Sequence, residues 1–309
     1  MDNIQNKYQV SIGIPVVKTK FLKNAIESCI FQSYTNIEII ILNNAYSLEL
    51  QDEIEEILKG YSDERIRYYR NDVQLPMIQN WNRVFSFAKG EFFSLLCDDD
   101  KWDFTFIEKM IVLSDKYPNT NLFHSRVLIL ENDNINNSQI SPLCNEYEDC
   151  LDFIYHRLKG FRLQYLSDFM VRTSKLYDLG GFTYLPDGWG SDDITWFKLA
   201  KNGGVAYCQE VLFTYNNNDI NTSNSKEFKN KFESIDLYMD YIKEIIYDIT
   251  LQTTVEKIKM NLIQRELVFN NERAYFKLLS DKLKTNKFIP NFVVPILILI
   301  LKLFKSTTK

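Results

Sequence analysis

The sequence predicts an α/β protein on a mostly parallel sheet, and three observations carry that prediction. Short apolar runs alternate with amphipathic stretches at the spacing of βαβ units through the first part of the chain. The run Glu38–Leu42 (EIIIL) is isoleucine-rich without polar alternation, the pattern of a strand covered on both faces. Finally, 309 residues with 45% hydrophobic and 14% aromatic content can bury a substantial core, which excludes global disorder.

The elements follow in order. Val10–Pro15 (VSIGIP) reads as the first strand, and Leu22–Gln32 as a helix whose Ala25, Ile26, Cys29 and Ile30 make one apolar stripe. After the second strand, Glu38–Leu42, come a charged helix over Glu49–Lys59 and a third strand over Arg65–Tyr69. Met77–Ala88 is a further helix with Gly90 as its stop, and Phe92–Leu96 is the fourth strand. Phe104–Lys116 and Ser174–Leu179 are helical, the latter ending at Gly180-Gly181. Ile194–Asn202 is an amphipathic helix closed by Gly203-Gly204.

Charge and cysteine usage narrow the function classes. The chain has 36 basic and 41 acidic residues, a formal charge of −5, which provides no electrostatic reason for a nucleic-acid partner. Cys29, Cys97, Cys144, Cys150 and Cys208 form no CxxC pair, and no histidine supports zinc at Cys144 and Cys150, so reduced thiols are expected. The opening MDNIQNKYQV has no apolar core of signal-peptide length, so a cytoplasmic location is expected.

In open α/β sheets ligands bind at the carboxyl ends of the strands. The residues there are Pro15-Val16-Val17-Lys18, Asn43-Asn44, Arg70-Asn71-Asp72 and Cys97-Asp98-Asp99-Asp100. None of these loops carries GxGxxG or GxxxxGK[ST], which removes the main support for dinucleotide and P-loop readings. Three adjacent carboxylates repel one another unless a cation or hydrogen bonds compensate. Asp98, Asp99 and Asp100 are therefore candidate ligands for Mg²⁺ or Mn²⁺, which would clamp a diphosphate. The alternative is an acidic loop capping the next helix through Asp100 and Asp103.

These segments together resemble the family 2 glycosyltransferases. VSIGIP is similar to that family's opening VSIIIPTYN, and LKNAIESCIFQSYTNIEIIILNNA to its LxxAIxSvLxQtYxnxEIIIvDD. RIRYYRND…NWNRVFSFAKGEFFSLLCDDDKW is similar to RIRyixN…aRNxgielAkGeyiafLDdDD. The resemblance implies a GT-A fold, a Rossmann-like nucleotide-diphospho-sugar transferase sheet, with a divalent metal at a DxD-type cluster and inversion at the anomeric carbon. It implies donor contacts at Pro15, Asn43, Asn44, Asp72, Asn82, Asp98 and Asp99. Asn43 and Asn44 replace an Asp pair of the family, one of which commonly accepts from the uracil N3–H; an Asn carbonyl accepts the same bond without charge. Trp81 replaces the Arg of the family's ARN, and Cys97 a carboxylate of the metal motif. Strict register makes Asp98 and Asp99 the functional pair, whereas a literal D-x-D makes it Asp98 and Asp100.

Gly180-Gly181-Phe182 and the stretch up to Ser191-Asp192-Asp193 resemble the family's GGF…(E)D…LxxRLaxxG block, whose acidic residue is the general base. An inverting displacement needs one carboxylate to deprotonate the acceptor hydroxyl, and either Asp192 or Asp193 fits. Helix capping by Ser191 or Asp192 is the structural alternative. Trp189 is a candidate acceptor platform, because sugar C–H faces pack on aromatic rings; Trp196 is expected in the core, and Trp102 beside or beneath the donor site. His156, next to Arg157, is a candidate contact to diphosphate oxygens.

The chain divides into residues 1–215 as the transferase domain, 216–287 as a polar linker and helical extension, and 288–309 as an apolar, basic segment. Phe232–Leu283 reads as wholly helical, suited to packing on the domain or on another copy in a homo-oligomer, with no catalytic residues. From Lys282 onward there are six lysines and no acidic residue, and Val293–Leu301 is too short to span a bilayer. Peripheral seating on the inner face of an anionic membrane is expected, the alternative being a C-terminal helix buried in the fold or in a dimer. The expected activity is transfer from a nucleoside diphosphate sugar, UDP-sugar favoured, to a hydroxyl of a saccharide or lipid-linked saccharide, with Mn²⁺ or Mg²⁺, in bacterial surface polysaccharide synthesis. The rivals are a catalytically degenerate nucleotide-sugar-binding or scaffold subunit and a nucleotidyltransferase.

Overall fold

The computed structural model describes residues 7–132, 134–218 and 229–285; the segment 288–309 assigned to a membrane surface lies outside the described residues, as do residues 219–228 of the polar linker. The elements are β1 (Val10–Val16), α1 (Leu22–Ile30), β2 (Ile37–Asn43), α2 (Leu48–Leu58), β3 (Ile66–Arg70), α3 (Met77–Ser86), β4 (Phe92–Leu95), β5 (Lys101–Trp102) and α4 (Phe106–Lys116). There follow β6 (Leu122–Glu131), β7 (Asn134–Ile140), β8 (Tyr147–Glu148), α5 (Cys150–Lys159), β9 (Phe169–Arg172), α6 (Thr173–Asp178) and α7 (Ser191–Ala200). The last are β10 (Val205–Asn217), α8 (Lys229–Tyr247) and α9 (Thr254–Thr285).

The main sheet has the order β3-β2-β1-β4-β9-β6-β10-β5. β3, β2, β1 and β4 are mutually parallel, as are β6 and β10, while β9 runs antiparallel between β4 and β6. The expected mostly parallel sheet is present. Alternate side chains of β2 reach opposite cores: Ile39 and Ile41 pack with Ile26 and Ile107, Ile40 and Leu42 with Phe93 and Val84. This two-sided burial is why the strand carries no polar alternation.

The helical tail is made of two helices. α8 ends at Tyr247 and α9 begins at Thr254, where Thr253 and Glu256 form a capping box: Glu256 Oε2 accepts from the Thr253 N–H at 2.7 Å, and the Glu256 N–H donates to Thr253 Oγ1 at 3.1 Å. Both helices bury Ile235, Ile242, Ile263 and Leu267 in the same core as Phe153 and Trp196, so the extension completes one face of the sheet. No helix among the described residues is long and apolar enough to cross a membrane.

Candidate active site

The chain order reverses between β2 and β4 on either side of β1, so the carboxyl ends of β1 and β4 lie side by side at a switch point. The N–H groups just beyond β1 have no strand partner, and the carboxylate following β4 takes them. Asp98 Oδ2 accepts from the Val17 and Lys18 N–H groups, each at 2.7 Å. Lys18 Nζ pairs with Asp99 Oδ2 at 2.9 Å. Asp100 is held from the other side: Oδ1 accepts from the Asn216 N–H at 3.2 Å and Oδ2 from the Ser167 hydroxyl at 3.1 Å. Ser167 Oγ in turn accepts from the Cys97 N–H at 3.0 Å.

Burial first, and then the Asp99 charge, push the Asp98 carboxyl up to about 7 and the Asp100 carboxyl well above its usual range. Full ionisation of the cluster is thus costly where little solvent can screen it. A cation relieves exactly such crowding, and the donor atoms available are the Cys97 sulfur and one oxygen each of Asp99 and Asp100, all within 4.8 Å of one another. Two carboxylates and open space suit a hard divalent ion, so Asp99 and Asp100 fit the implied metal. Asp98, also expected among the ligands, lines the same cleft and fastens the end of β1 through Oδ2, while Cys97 stands in the cluster.

The donor-side expectations divide. Pro15 and Asn44 line the cleft, which has a volume of about 1230 Å³, whereas Asn43, Asp72 and Asn82 do not. Asn43 is buried, with Oδ1 accepting from the Ala45 N–H and Nδ2 donating to the Tyr68 hydroxyl, both at 3.0 Å. Asn44 Oδ1 accepts from Asn71 Nδ2 and the Leu75 N–H, each at 2.8 Å, so its carbonyl is committed to holding the 71–75 loop. Asp72 is exposed at the outer side of that loop. Asn82 clamps Phe182, accepting from its N–H at 2.7 Å and donating to its carbonyl at 3.2 Å.

The other end of the cleft is built on α7. The helix starts at Ser191, earlier than its apolar pattern suggests, because Gly190 at φ 78° forms the cap without a side chain. Asp192 and Asp193 therefore both fall in the first turn, pointing to different surroundings. Asp193 is fully engaged: Arg157 Nε donates to Oδ1 and Oδ2 at 3.2 and 2.9 Å, Gln164 Nε2 to Oδ1 at 2.7 Å, and the Tyr238 hydroxyl to Oδ2 at 3.1 Å. A Cβ at position 190 would lie 2.6 Å from the Tyr238 ring, so glycine is what lets Tyr238 reach Asp193. Asp192 has no side-chain partner among the described residues and lines the cleft; burial and the adjacent Asp193 charge push its carboxyl up to about 7. Its carboxyl also meets the backbone N–H groups of Asp192 and Asp193, so capping of the first turn is compatible with this position.

Trp189 lines the cleft, 38% exposed, tilted against Tyr238 at 5.5 Å. Trp196 is in the core, stacked on Phe169, and Trp102 packs beneath the acidic cluster on Phe106. His156 turns away to Glu148, at 3.0 Å, and its neighbour Arg157 is the residue that enters the cleft. Arg157, Gln164 and Tyr238 had no sequence signal as site residues; they come from three separate elements and meet only in the fold.

A Rossmann-like sheet with an acidic cluster at its switch point, and a further carboxylate in the same cleft, defines a GT-A glycosyltransferase. The chain belongs to glycosyl transferase family 2, whose family model matches residues 11–182. It is 26% identical over 230 residues to the protein named Uncharacterized glycosyltransferase RT0329 of Rickettsia typhi, covering 72% of this chain and 68% of that one. It is 28% identical over 100 residues to the putative colanic acid biosynthesis glycosyl transferase WcaA of Escherichia coli, covering 32% of this chain and 35% of that one. Among solved structures, S. aureus TarS residues 1–349 in complex with UDP-GlcNAc superposes with a TM-score of 0.63 at 13% identity, over 89% of this chain and 81% of that one. The mannosyltransferase PcManGT of Pyrobaculum calidifontis, in complex with GDP-Man and Mn²⁺, superposes with a TM-score of 0.60 at 12% identity, over 96% and 80%.

Proposed function

We propose that the protein is an inverting glycosyltransferase that moves a sugar from a nucleoside diphosphate donor to a hydroxyl of a saccharide or lipid-linked saccharide, in bacterial surface polysaccharide synthesis. The observation that carries this reading is Asp192, a carboxylate without a side-chain partner in the cleft that also holds the acidic cluster. The acceptor hydroxyl gives its proton to Asp192, its oxygen attacks the anomeric carbon from the face opposite the diphosphate, and the nucleoside diphosphate leaves. Asp193 holds Arg157 at the edge of the cleft, and Trp189 offers a ring face to the acceptor. Lys18 and Arg157 bring positive charge toward the leaving phosphates. A bound Mn²⁺ or Mg²⁺, held by Asp99 and Asp100, supplies charge neutralisation of the departing diphosphate.

UDP is the first donor to test because the TarS complex holds UDP-GlcNAc, with GDP second because the PcManGT complex holds GDP-Man. The resemblance of WcaA, named for colanic acid biosynthesis, supports polysaccharide as the product class. The apolar, basic stretch 288–309 supports a location on the cytoplasmic face of a membrane. The test is calorimetric titration with UDP, GDP, CDP and dTDP, each with Mn²⁺ and with EDTA. Metal-dependent binding of one nucleotide supports the reading, and binding of none overturns it in favour of a scaffold subunit.

A further inference from the structure

The residues after β4 form a single turn, in which the Asp100 N–H donates to the Cys97 carbonyl at 3.2 Å. That turn carries the three donor atoms of the cluster, on Cys97, Asp99 and Asp100, within 4.8 Å of one another. A turn closed by one hydrogen bond leaves its side chains free to rotate, whereas an ion needs its ligands held in one direction.

Ser167, 70 residues further along the chain, reaches both ends of this turn. Its hydroxyl oxygen accepts from the Cys97 N–H at 3.0 Å, and its proton goes to Asp100 Oδ2 at 3.1 Å. The directions follow from the groups themselves. A backbone N–H only donates and an ionised carboxylate only accepts, so the single hydroxyl proton points at Asp100. Oδ1 of Asp100 meanwhile accepts from the Asn216 N–H at 3.2 Å. The carboxylate is thereby held at both oxygens, and each oxygen keeps a lone pair for an ion.

Ser167 is itself anchored. It is 1% exposed, and its carbonyl accepts from Trp102 Nε1 at 2.6 Å. The Trp102 ring stacks on Phe106, with centroids 4.4 Å apart and planes within 10°. At the next residue the Asp168 carbonyl accepts from the Ser125 N–H at 3.2 Å. Residues 161–168 belong to no helix or strand, so these individual bonds, not a regular ladder, place the hydroxyl.

We propose that Ser167 is a positioning residue of the ion site. Its hydroxyl sets the direction in which Asp100 presents a lone pair to the divalent ion, and Trp102 holds the serine in place. The proposal rests on the metal-dependent glycosyltransferase reading. Gln164 provides the control, being three residues earlier on the same segment. Its Nε2 bonds Asp193 at 2.7 Å, at the other end of the cleft, so its loss loosens the segment without touching the turn.

The test titrates Mn²⁺ into the full chain, alone and with UDP or GDP, and follows the free ion by electron paramagnetic resonance, with melting curves alongside. Ser167→Ala is expected to weaken Mn²⁺ binding about tenfold or more, the usual cost of losing a partner that orients a ligand. Trp102→Phe keeps a ring on Phe106 and removes the indole N–H, and is expected to weaken binding by a smaller factor. Gln164→Leu is expected to stay well below the loss seen in Ser167→Ala. Parent-like affinity in Ser167→Ala overturns the proposal. So does an equal loss in Gln164→Leu, which would make the effect a general loosening of the segment. Should Ser167→Ala not fold, Trp102→Phe decides, and unchanged affinity there overturns the proposal. A parent that binds no Mn²⁺ under any of these conditions overturns the metal-dependent reading and this proposal with it.

Discussion

Arg157 Nε lies 3.2 and 2.9 Å from the two carboxylate oxygens of Asp193, and this contact separates the roles of two adjacent aspartates. Asp193 also accepts from Gln164 and Tyr238, so its lone pairs are spent on protein donors. Asp192, one residue earlier on the same helical turn, keeps its carboxylate for the cleft. The proposed base and the residue that organises its surroundings are thus neighbours in sequence, and each role excludes the other.

Replacing Asp192 with Asn should abolish turnover and spare donor binding. Loss of a positioned general base costs about 10²- to 10⁴-fold in rate. The pH dependence has a definite sign. Asp192 is pushed from 3.8 up to about 7, so it is protonated and inactive as a base below neutrality, and the rate rises with pH through about 7. Stability runs the other way: a carboxyl that the fold prefers protonated contributes stability at acid pH, and that contribution is lost as pH rises through about 7. The Asn variant should therefore melt no lower than the parent at pH 8, and its residual rate should lack the rising limb. Rates of nucleotide release across pH, alongside melting curves, check both statements. A variant that retains the limb would remove Asp192 from the base role.

Asp193→Asn should behave differently, because it leaves the Arg157 guanidinium facing a neutral amide. Breaking a largely buried, hydrogen-bonded charge pair from one side costs about 3 kcal/mol or more. The expected result is a lower urea midpoint together with lost activity, and restoring Asp should recover both. A variant as stable as the parent would mean that Arg157 is held by something other than this carboxylate.

Much of this is legible in the sequence. The doubly buried strand Ile37–Asn43, the acidic cluster at a strand's carboxyl end and the acidic start of α7 each follow from local pattern. Local pattern fails where a role depends on what arrives from elsewhere. Asn43 and Asn82 carry family positions into this chain, yet the fold spends their side chains on Ala45 and Tyr68, and on Phe182. The sequence places Asp98 in an acidic cluster, but does not tell that its Oδ2 accepts from the N–H groups left open at the end of β1. Arg157, Gln164 and Tyr238 lie far from Asp193 in sequence, and nothing short of packing brings them together. The Thr253–Glu256 capping box is readable as T-x-x-E and marks where the second helix of the extension begins.

Lys18 occupies the charge position that a divalent ion would share. Its ammonium lies 2.9 Å from Asp99, partly buried, so it already neutralises some of the cluster. Lys18→Met should raise the affinity of the nucleotide-free protein for Mn²⁺, by roughly tenfold if one charge interaction is worth about 1.4 kcal/mol there. Asp99→Asn should lower it below detection. Mn²⁺ titration followed by electron paramagnetic resonance, without nucleotide, reads the ion alone. Weaker Mn²⁺ binding in Lys18→Met would show that the lysine builds the site rather than competing for it.

Asn82 separates a family position from the geometry of this chain. Its amide makes two hydrogen bonds to the Phe182 backbone, at 2.7 and 3.2 Å, and Gly181 passes so close that a Cβ there would lie 2.3 Å from Asn82 Oδ1. The family resemblance places this Asn on the donor, whereas the clamp ties α3 to the segment leading into α7. Removing both bonds with Asn82→Ala should cost about 2 kcal/mol, at about 1 kcal/mol net for each. The residue does not line the cleft, so nucleotide affinity should change by less than a factor of about three, well under the tenfold that 1.4 kcal/mol represents. Acceptor-side turnover should fall instead, because the loosened Phe182 segment carries the start of α7 and with it Asp192. A large loss of nucleotide affinity at unchanged stability would return Asn82 to the donor site.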